Sequence, residues 1–138
     1  MINYKTQADN HSLYATAPVF NCYLADKTFD WIKAQGGVDA LFKQNCLKAA
    51  KLYQYLDATD FYTTSVERDA RSIMNVCFSI RNTVLEDQFV TKAESQGLYA
   101  LKGHRSVGGL RASLYNPMPM AGVDALIDFM SQFAKENN

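Results

Sequence analysis

The chain has 138 residues, of which 48% are hydrophobic, 12% aromatic and 20% charged, so it is long enough for one domain with a buried core. Fourteen basic residues balance fourteen acidic ones. Because no global field favours nucleic acid or an anionic membrane, neither is expected as a partner, and a bound anion must be held by a local cluster. No apolar run approaches the ~20 residues that a membrane span requires.

The cysteines, Cys22, Cys46 and Cys77, are too few and too scattered for a disulfide framework, and none forms a C-x-x-C pair. We therefore expect buried free thiols in a reducing compartment and no metal site. The first residues show no signal-peptide pattern, so a cytoplasmic protein is predicted.

Residues 1–15 are polar and lack a hydrophobic period, which predicts an extended arm. A helix is expected next, because Thr16 can cap an N-terminus and Pro18 suits a first turn. It should stop at Gly36 and Gly37, and a second helix follows. The expected inner face of this second helix consists of Val38, Leu41, Phe42, Ala49, Leu52, Tyr53 and Leu56.

The pattern then changes to a period of two. Residues 61–64 favour β-structure, and residues 73–80 alternate like a half-buried strand. The apolar side of that strand carries Met74, Val76, Phe78 and Ile80, and the polar side carries Asn75, Cys77 and Ser79.

The last third of the chain predicts a helix over residues 85–95, short strands over 98–101 and 110–115, and a final helix with its apolar stripe over 123–134. The predicted order is two helices, two strands, a helix, two strands and a helix. Such segregation predicts an α+β fold, with a small, mostly antiparallel sheet and helices packed on one face.

Basic residues and glycines are clustered before the last predicted strand. His104 and Arg105 lie in a loop, and Arg111 projects from the strand on the face opposite Leu110. Three glycines give the loop backbone access to a ligand and to positive φ: Gly103, Gly108 and Gly109. Two guanidinium groups on either side of a flexible loop are able to hold the two ends of a small dianion, with His104 as a further donor. The alternative is that the loop is only solvated and that Arg111 pairs with a surface carboxylate.

A longer motif covers this cluster. Residues 101–119 read Leu-Lys-Gly-His-Arg, two residues, then Gly-Gly-Leu-Arg-Ala-Ser-Leu-Tyr-Asn-Pro-Met-Pro, which resembles the signature of phosphoserine aminotransferases. Residues 3–10, 30–38 and 71–76 are also similar to that family, so the resemblance spans essentially the whole chain. It implies the carboxy-terminal part of such an enzyme. Residues 1–15 would then be an arm from the end of the large domain, and residues 16–138 the C-terminal small domain of a fold-type I pyridoxal-phosphate enzyme, like aspartate aminotransferase.

The resemblance also implies an activity. Family members convert phosphoserine and 2-oxoglutarate into 3-phosphooxypyruvate and glutamate, in serine biosynthesis, as pyridoxal-phosphate-dependent homodimers. Arg111 would bind the α-carboxylate of either substrate, and His104 and Arg105 would face the distal anion. The Schiff-base lysine of the family lies upstream of the segment that matches residues 3–10, and Lys102 does not match it. No catalytic residue is therefore expected here, and the chain alone should be inert and without bound cofactor.

Thr16 matches a second family pattern, Ser-Leu-Tyr-Asn-Thr-Pro-Pro, where this sequence has Ser-Leu-Tyr-Ala-Thr-Ala-Pro over residues 12–18. The resemblance implies that Thr16 contacts the phosphate of the partner subunit's cofactor. Ala15 and Ala17 depart from the pattern, and Ala15 removes an amide donor. The alternative is that Thr16 is only a helix cap.

Two other functions stay open. One is a stand-alone carboxylate- or phosphate-binding module without chemistry. The other is a related enzyme of the same fold with a different amino acceptor, which a steady-state assay with several amino donors would distinguish.

Overall fold

The computed structural model describes residues 3–137, in which five α-helices and three β-strands form. The helices are α1 (Tyr4–Asp9), α2 (Val19–Ala34), α3 (Gly37–Asp57), α4 (Glu86–Ser95) and α5 (Met120–Asn137). The strands are β1 (Tyr62–Thr63), β2 (Asn75–Ile80) and β3 (Leu110–Ser113). Short 3-10 turns lie at Arg68–Ala70 and Thr83–Leu85.

The chain divides into two compact units, residues 1–40 and residues 41–138. The division expected after residue 15 concerns the origin of each segment in a longer enzyme, so these two units do not test it. α1 corrects the expectation of an extended arm for residues 4–9. Its N-terminus is capped because the Asn3 side-chain oxygen accepts a hydrogen bond from the Lys5 backbone N–H at 2.9 Å.

α2 starts later than predicted. Its N-cap position is Pro18, without a side-chain capping bond, and Thr16 is exposed ahead of the helix. A hydrogen bond from the Val19 N–H to the Ala17 carbonyl, 2.8 Å long, closes a turn at the entrance, which delays the first helical residue. The prediction that Thr16 caps this helix is therefore wrong.

The second unit contains a three-stranded antiparallel sheet in the order β1-β2-β3. Val76, Phe78 and Ile80 of β2 are buried on one face, as the period-two pattern predicts. They join one hydrophobic core with residues of α3, α4 and α5. The α+β prediction is confirmed, and so are the inner faces of α3 and α5, except that Val38 and Phe42 are exposed.

Phe89 of α4 is the centre of the core. It is fully buried, and its ring packs edge-on against four aromatic rings, with centroids 5.0 to 6.2 Å away: Tyr62, Phe78, Phe129 and Phe133. Edge-to-face aromatic pairs each contribute about 0.5–1.5 kcal/mol beyond the area they bury. This cluster ties α4 and α5 to the inner face of the sheet.

The strand predicted over residues 98–101 is not present. Ala100 has a left-handed φ of 60°, which interrupts an extended strand. The segment is joined to the sheet by an isolated bridge between Lys102 and Leu110 and by a hydrogen bond from the Arg111 N–H to the Leu101 carbonyl, 2.8 Å long. Leu101 is nevertheless buried, so this residue contributes to the core although it does not belong to a strand.

A buried lysine holds the chain after β3. Lys48 of α3 is only 3% exposed, and its ammonium group donates to the carbonyls of Leu114, Tyr115 and Met118 at 3.5, 2.9 and 3.0 Å. Burial lowers the pKa of Lys48 from its ordinary value. One turn earlier, Asn45 donates to the side chain of Asn116 at 2.7 Å. α3 thus anchors the loop that leaves the sheet.

Two other expectations have a plain outcome. Cys22 and Cys77 are exposed and Cys46 is half-buried, so the prediction of buried thiols is wrong for two of the three. In the part of the chain that the structure describes, no helix combines the length and the apolar character needed to cross a bilayer.

We predict that Tyr62→Phe makes the unfolding free energy of this chain less sensitive to alkaline pH. The Tyr62 hydroxyl donates to the Met130 carbonyl at 2.8 Å, and burial raises the pKa of this phenol far above its ordinary value of 10.0. A raised pKa stabilises the fold fully below about pH 10, and that contribution is lost as pH rises, because only the unfolded phenol ionises freely. The variant should lose about 0.5–1.5 kcal/mol of unfolding free energy at pH 7. Above pH 10, its unfolding free energy should fall less steeply with pH than that of the wild type.

Urea unfolding at pH 7 and at pH 10.5 measures both effects. Tyr115→Phe, at an exposed position, is the matched control and should follow the wild-type curve. If the unfolding free energies of Tyr62→Phe and the wild type fall equally between pH 7 and pH 10.5, the Tyr62 phenol is not responsible for the alkaline loss of stability.

Candidate functional site

The outer face of the sheet carries the polar side chains. Strand alternation places Asn75, Cys77 and Ser79 of β2 opposite the core residues, and Cys77 pairs with Arg111 of β3 in the antiparallel register. Thr63 of β1 pairs with Ser79 on the same side. Arg111 therefore lies among short polar side chains and not among carboxylates.

The loop before β3 is closed by its own backbone. The Gly103 N–H donates to the Gly109 carbonyl at 2.8 Å, and the N–H groups of Val107 and Gly108 donate to the His104 carbonyl at 2.9 and 2.8 Å. A Cβ on Gly103 would lie 2.1 Å from the Gly108 oxygen. Only glycine permits the two ends of the loop to approach this closely.

Sheet face and loop enclose a cavity of about 390 Å³. It is lined by Thr63, Ser65, Asn75, Cys77, Phe78, Ser79, Gly103, His104, Val107, Gly108, Leu110 and Arg111. No Asp or Glu of the described residues lines it, so Arg111 gives the cavity a positive potential. The volume lies in the range of small-molecule sites.

Arg111 is half-buried and has no ion-pair partner among residues 3–137. Its Nε atom is buried without a hydrogen-bond acceptor. Leaving a guanidinium N–H unpaired in a buried position costs free energy. Since the guanidinium makes no ion pair among the described residues, it is available to pair with an oxyanion. The alternative, in which Arg111 pairs with a surface carboxylate, is not found in this structure.

The structure does not bring Arg105 to the cavity of Arg111. His104 lines that cavity and also a neighbouring one of about 180 Å³, whereas Arg105 lines the neighbouring one, together with Glu86 and Asp87. The expected arrangement, with both guanidinium groups at a single cavity, therefore does not occur here, and the individual roles of the three residues remain predictions.

The residues present do not fit pyridoxal phosphate by themselves. An imine bond to this cofactor requires a lysine, and none of the described lysines lines the Arg111 cavity, whereas Lys102 lines the neighbouring one. Thr16 is exposed in the first unit, and Ala15 beside it has no donor side chain.

The sequence alone does not assign four residues to the site: Thr63, Asn75, Cys77 and Ser79. Part of the signal is present, because the alternation of residues 73–80 separates Asn75, Cys77 and Ser79 from the core side. The register that sets Cys77 against Arg111 is not readable from the sequence, because it depends on the pairing of distant segments.

The second unit is thus an α+β domain in which a cavity that no described Asp or Glu lines contains Arg111. The class of protein follows from comparison with known families, because the profile of class-V aminotransferases matches residues 1–126. The chain belongs to the class-V aminotransferase family.

Among named relatives, the chain is 71% identical over 137 residues to the phosphoserine aminotransferase of Legionella pneumophila strain Philadelphia 1, and 49% identical to that of Hahella chejuensis. Each match covers 99% of this chain and 38% of the relative. The chain therefore spans under two fifths of the length of these relatives.

Solved structures agree. The phosphoserine aminotransferase from Bacillus circulans subsp. alkalophilus superposes with a TM-score of 0.90 at 40% identity, over 98% of this chain and 38% of that one. The PLP-bound enzyme from Trichomonas vaginalis gives a TM-score of 0.82 at 36% identity, over 93% and 37%. The fold is that of fold-type I enzymes, as predicted.

We predict that Gly109→Ala destabilises the site more than Gly108→Ala. Both glycines have positive φ, 66° and 78°, so either alanine costs about 1–2 kcal/mol of backbone strain. A Cβ on Gly109 would also lie 3.0 Å from the Phe78 carbonyl oxygen, whereas one on Gly108 would meet open space. Because β2 is held between two strands, that oxygen cannot retreat, and Gly109→Ala should lose about 1–3 kcal/mol more. Urea unfolding of the two variants gives the comparison, and equal losses would contradict the close approach.

Proposed function

We propose that this chain is the carboxy-terminal, substrate-recognition part of a phosphoserine aminotransferase. The reaction converts phosphoserine and 2-oxoglutarate into 3-phosphooxypyruvate and glutamate. The observation that carries the proposal is the Arg111 guanidinium, which is unpaired in a cavity without carboxylates. The 71% identity to the Legionella pneumophila enzyme supports the choice of substrates.

The substrates share an α-carboxylate and differ at the distal end, where one has a phosphate and the other a carboxylate. Arg111 binds the shared α-carboxylate through two parallel hydrogen bonds, and this holds the reacting carbon in a fixed orientation. His104 and Arg105 bind the distal anion. Arg105 is exposed and has no ion-pair partner among the described residues, so its long side chain is free to turn toward a ligand.

The remaining assignments extend this proposal. The protein acts in the cytoplasm as a homodimer, and Thr16 contacts the phosphate of the cofactor held by the partner subunit. Pyridoxal phosphate supplies the electron sink of the reaction when bound in the longer enzyme. The lysine that holds it comes from a part of that enzyme outside these 138 residues.

A second candidate is a stand-alone module that binds a small dianion without chemistry. The observation that favours it is the combination of an anion-binding arginine with a cavity that, within the described residues, contains no lysine. The two functions differ in whether the chain supports transamination when the rest of a related enzyme is supplied.

A chimaera tests this directly. This chain replaces the matching 137 residues of the Legionella pneumophila enzyme, which is 71% identical there, and transamination is assayed with phosphoserine and with glutamate. We expect an active chimaera. A folded chimaera that binds the cofactor but transfers no amino group would favour the stand-alone module.

In the chimaera, we predict that Arg111→Lys lowers kcat/KM about 10- to 100-fold for both amino donors, because lysine cannot form the paired hydrogen bonds. Arg105→Ala should reduce kcat/KM for phosphoserine more than for glutamate. Arg81→Lys is the matched control, since Arg81 is exposed and lies 3.7 Å from Asp60. Equal losses for both donors in Arg105→Ala would overturn the prediction that Arg105 distinguishes the distal phosphate from the distal carboxylate.

We also predict that the chain alone does not hold pyridoxal phosphate covalently. After mixing and borohydride reduction, mass spectrometry should find no single lysine of the chain labelled in stoichiometric yield. In the chimaera, the label should be on a lysine from the Legionella pneumophila portion. Stoichiometric labelling of one lysine in the isolated chain, Lys102 for example, would reject this division of roles.

A further inference from the structure

Both the backbone carbonyl and the side-chain ring of His104 form hydrogen bonds within its own turn. Its carbonyl accepts the N–H groups of Val107 and Gly108, at 2.9 and 2.8 Å. Its ring is engaged by Ser106, whose hydroxyl oxygen lies 2.7 Å from Nδ1 and whose backbone N–H donates to the same Nδ1 at 3.3 Å. These contacts come from residues within the same turn, so the orientation of this ring is determined locally.

The partners of the ring also define its tautomer. A backbone N–H can only donate, so Nδ1 must accept and carries no proton in the neutral imidazole. The proton of the neutral ring is therefore on Nε2. No described residue accepts from Nε2, and His104 lines both the Arg111 cavity and the neighbouring cavity that Arg105 lines.

We propose that Ser106 is a positioning residue, which holds the His104 ring so that Nε2–H donates to the distal anion of the substrate. Ser106 does not touch the ligand. Its hydroxyl donates to Nδ1 beside its own backbone N–H, and the two bonds fix both the tautomer and the direction of the ring. The inference rests on the proposed function only for the identity of the anion, because the Ser106–His104 contact exists without it.

The first test uses the isolated chain and does not require catalysis. The chain has two histidines, His11 and His104, so ¹⁵N-histidine labelling gives two ring systems, which His11→Gln assigns. At pH 8 we expect the His104 ring as the Nε2–H tautomer, with the Nδ1 resonance moved upfield by hydrogen-bond acceptance. Ser106→Ala should move Nδ1 toward the position of a free imidazole and loosen the ring, while Ser106→Thr, which keeps the hydroxyl, should retain the wild-type shift. An unchanged Nδ1 resonance in Ser106→Ala overturns the proposal.

The second test is a double-mutant cycle in the chimaera, which separates positioning from simple loop stability. Ser106→Ala should raise KM for phosphoserine about three- to tenfold with little change in kcat, the size expected for one misaligned hydrogen bond. In a His104→Gln background, the same substitution should have no further effect. An equal loss in both backgrounds would show that Ser106 does not act through His104 and would overturn the proposal.

Failure of the Ser106 proposal and failure of the proposed function give different results in these two tests. If the ring responds to Ser106→Ala but phosphoserine KM does not, the ring is positioned and His104 is not the donor to the distal anion, which refutes that part of the proposed function. If the chimaera is inactive, the proposed function fails, and the ring resonances alone decide whether Ser106 orients His104.

Discussion

Antiparallel pairing of β2 with β3, in the register that sets Cys77 opposite Arg111, is the constraint on which the candidate site depends. In this register Leu110 and Ala112 are buried with Phe78 and Arg111 faces the cavity. A slip of one residue would exchange the two faces. It would expose Leu110, at a cost of about 1.5–3 kcal/mol, and bury an unpaired guanidinium, which costs several kcal/mol more. The same energy that packs the core therefore holds Arg111 at the cavity.

Elements in which apolar residues recur regularly over many positions could be predicted from the sequence. α3, α5 and β2 each repeat their apolar residues often enough for one face to be identified, and their buried residues are largely those predicted. Short segments could not be predicted, because tertiary contacts decide them. The four apolar residues at 98–101 predict a strand, but Ala100 has a left-handed φ and Tyr99 is exposed, so only Leu98 and Leu101 pack against the core. The short helix α1 has no apolar period to reveal it, and its capping residue, Asn3, lies in a segment that reads simply as polar.

The site could be predicted in part, for a similar reason. The motif over residues 101–119 identified Arg111 and His104, and the strand period alone placed Arg111 on the face away from the core. The direction of Arg105 could not be read from the sequence, because it depends on how the turn at His104 closes. The contact between Ser106 and the His104 ring could not be read from the sequence either. These two residues meet because the turn closes, with two N–H groups donating to the His104 carbonyl.

The glycines of this loop have a different physical role from the one that composition suggests. A glycine-rich stretch between two arginines indicates flexibility, yet its ends are joined by the Gly103–Gly109 hydrogen bond, and an added Cβ on either residue would meet backbone oxygen. Here glycine allows close approach, and close approach produces a fixed turn. A fixed turn orients a donor before the ligand arrives, so binding does not have to order it, whereas the long side chain of Arg105 still has to be ordered. Under the proposed function, discrimination between a distal phosphate and a distal carboxylate is therefore expected from Arg105, which is exposed, and His104, whose ring is oriented, is expected to contribute to both.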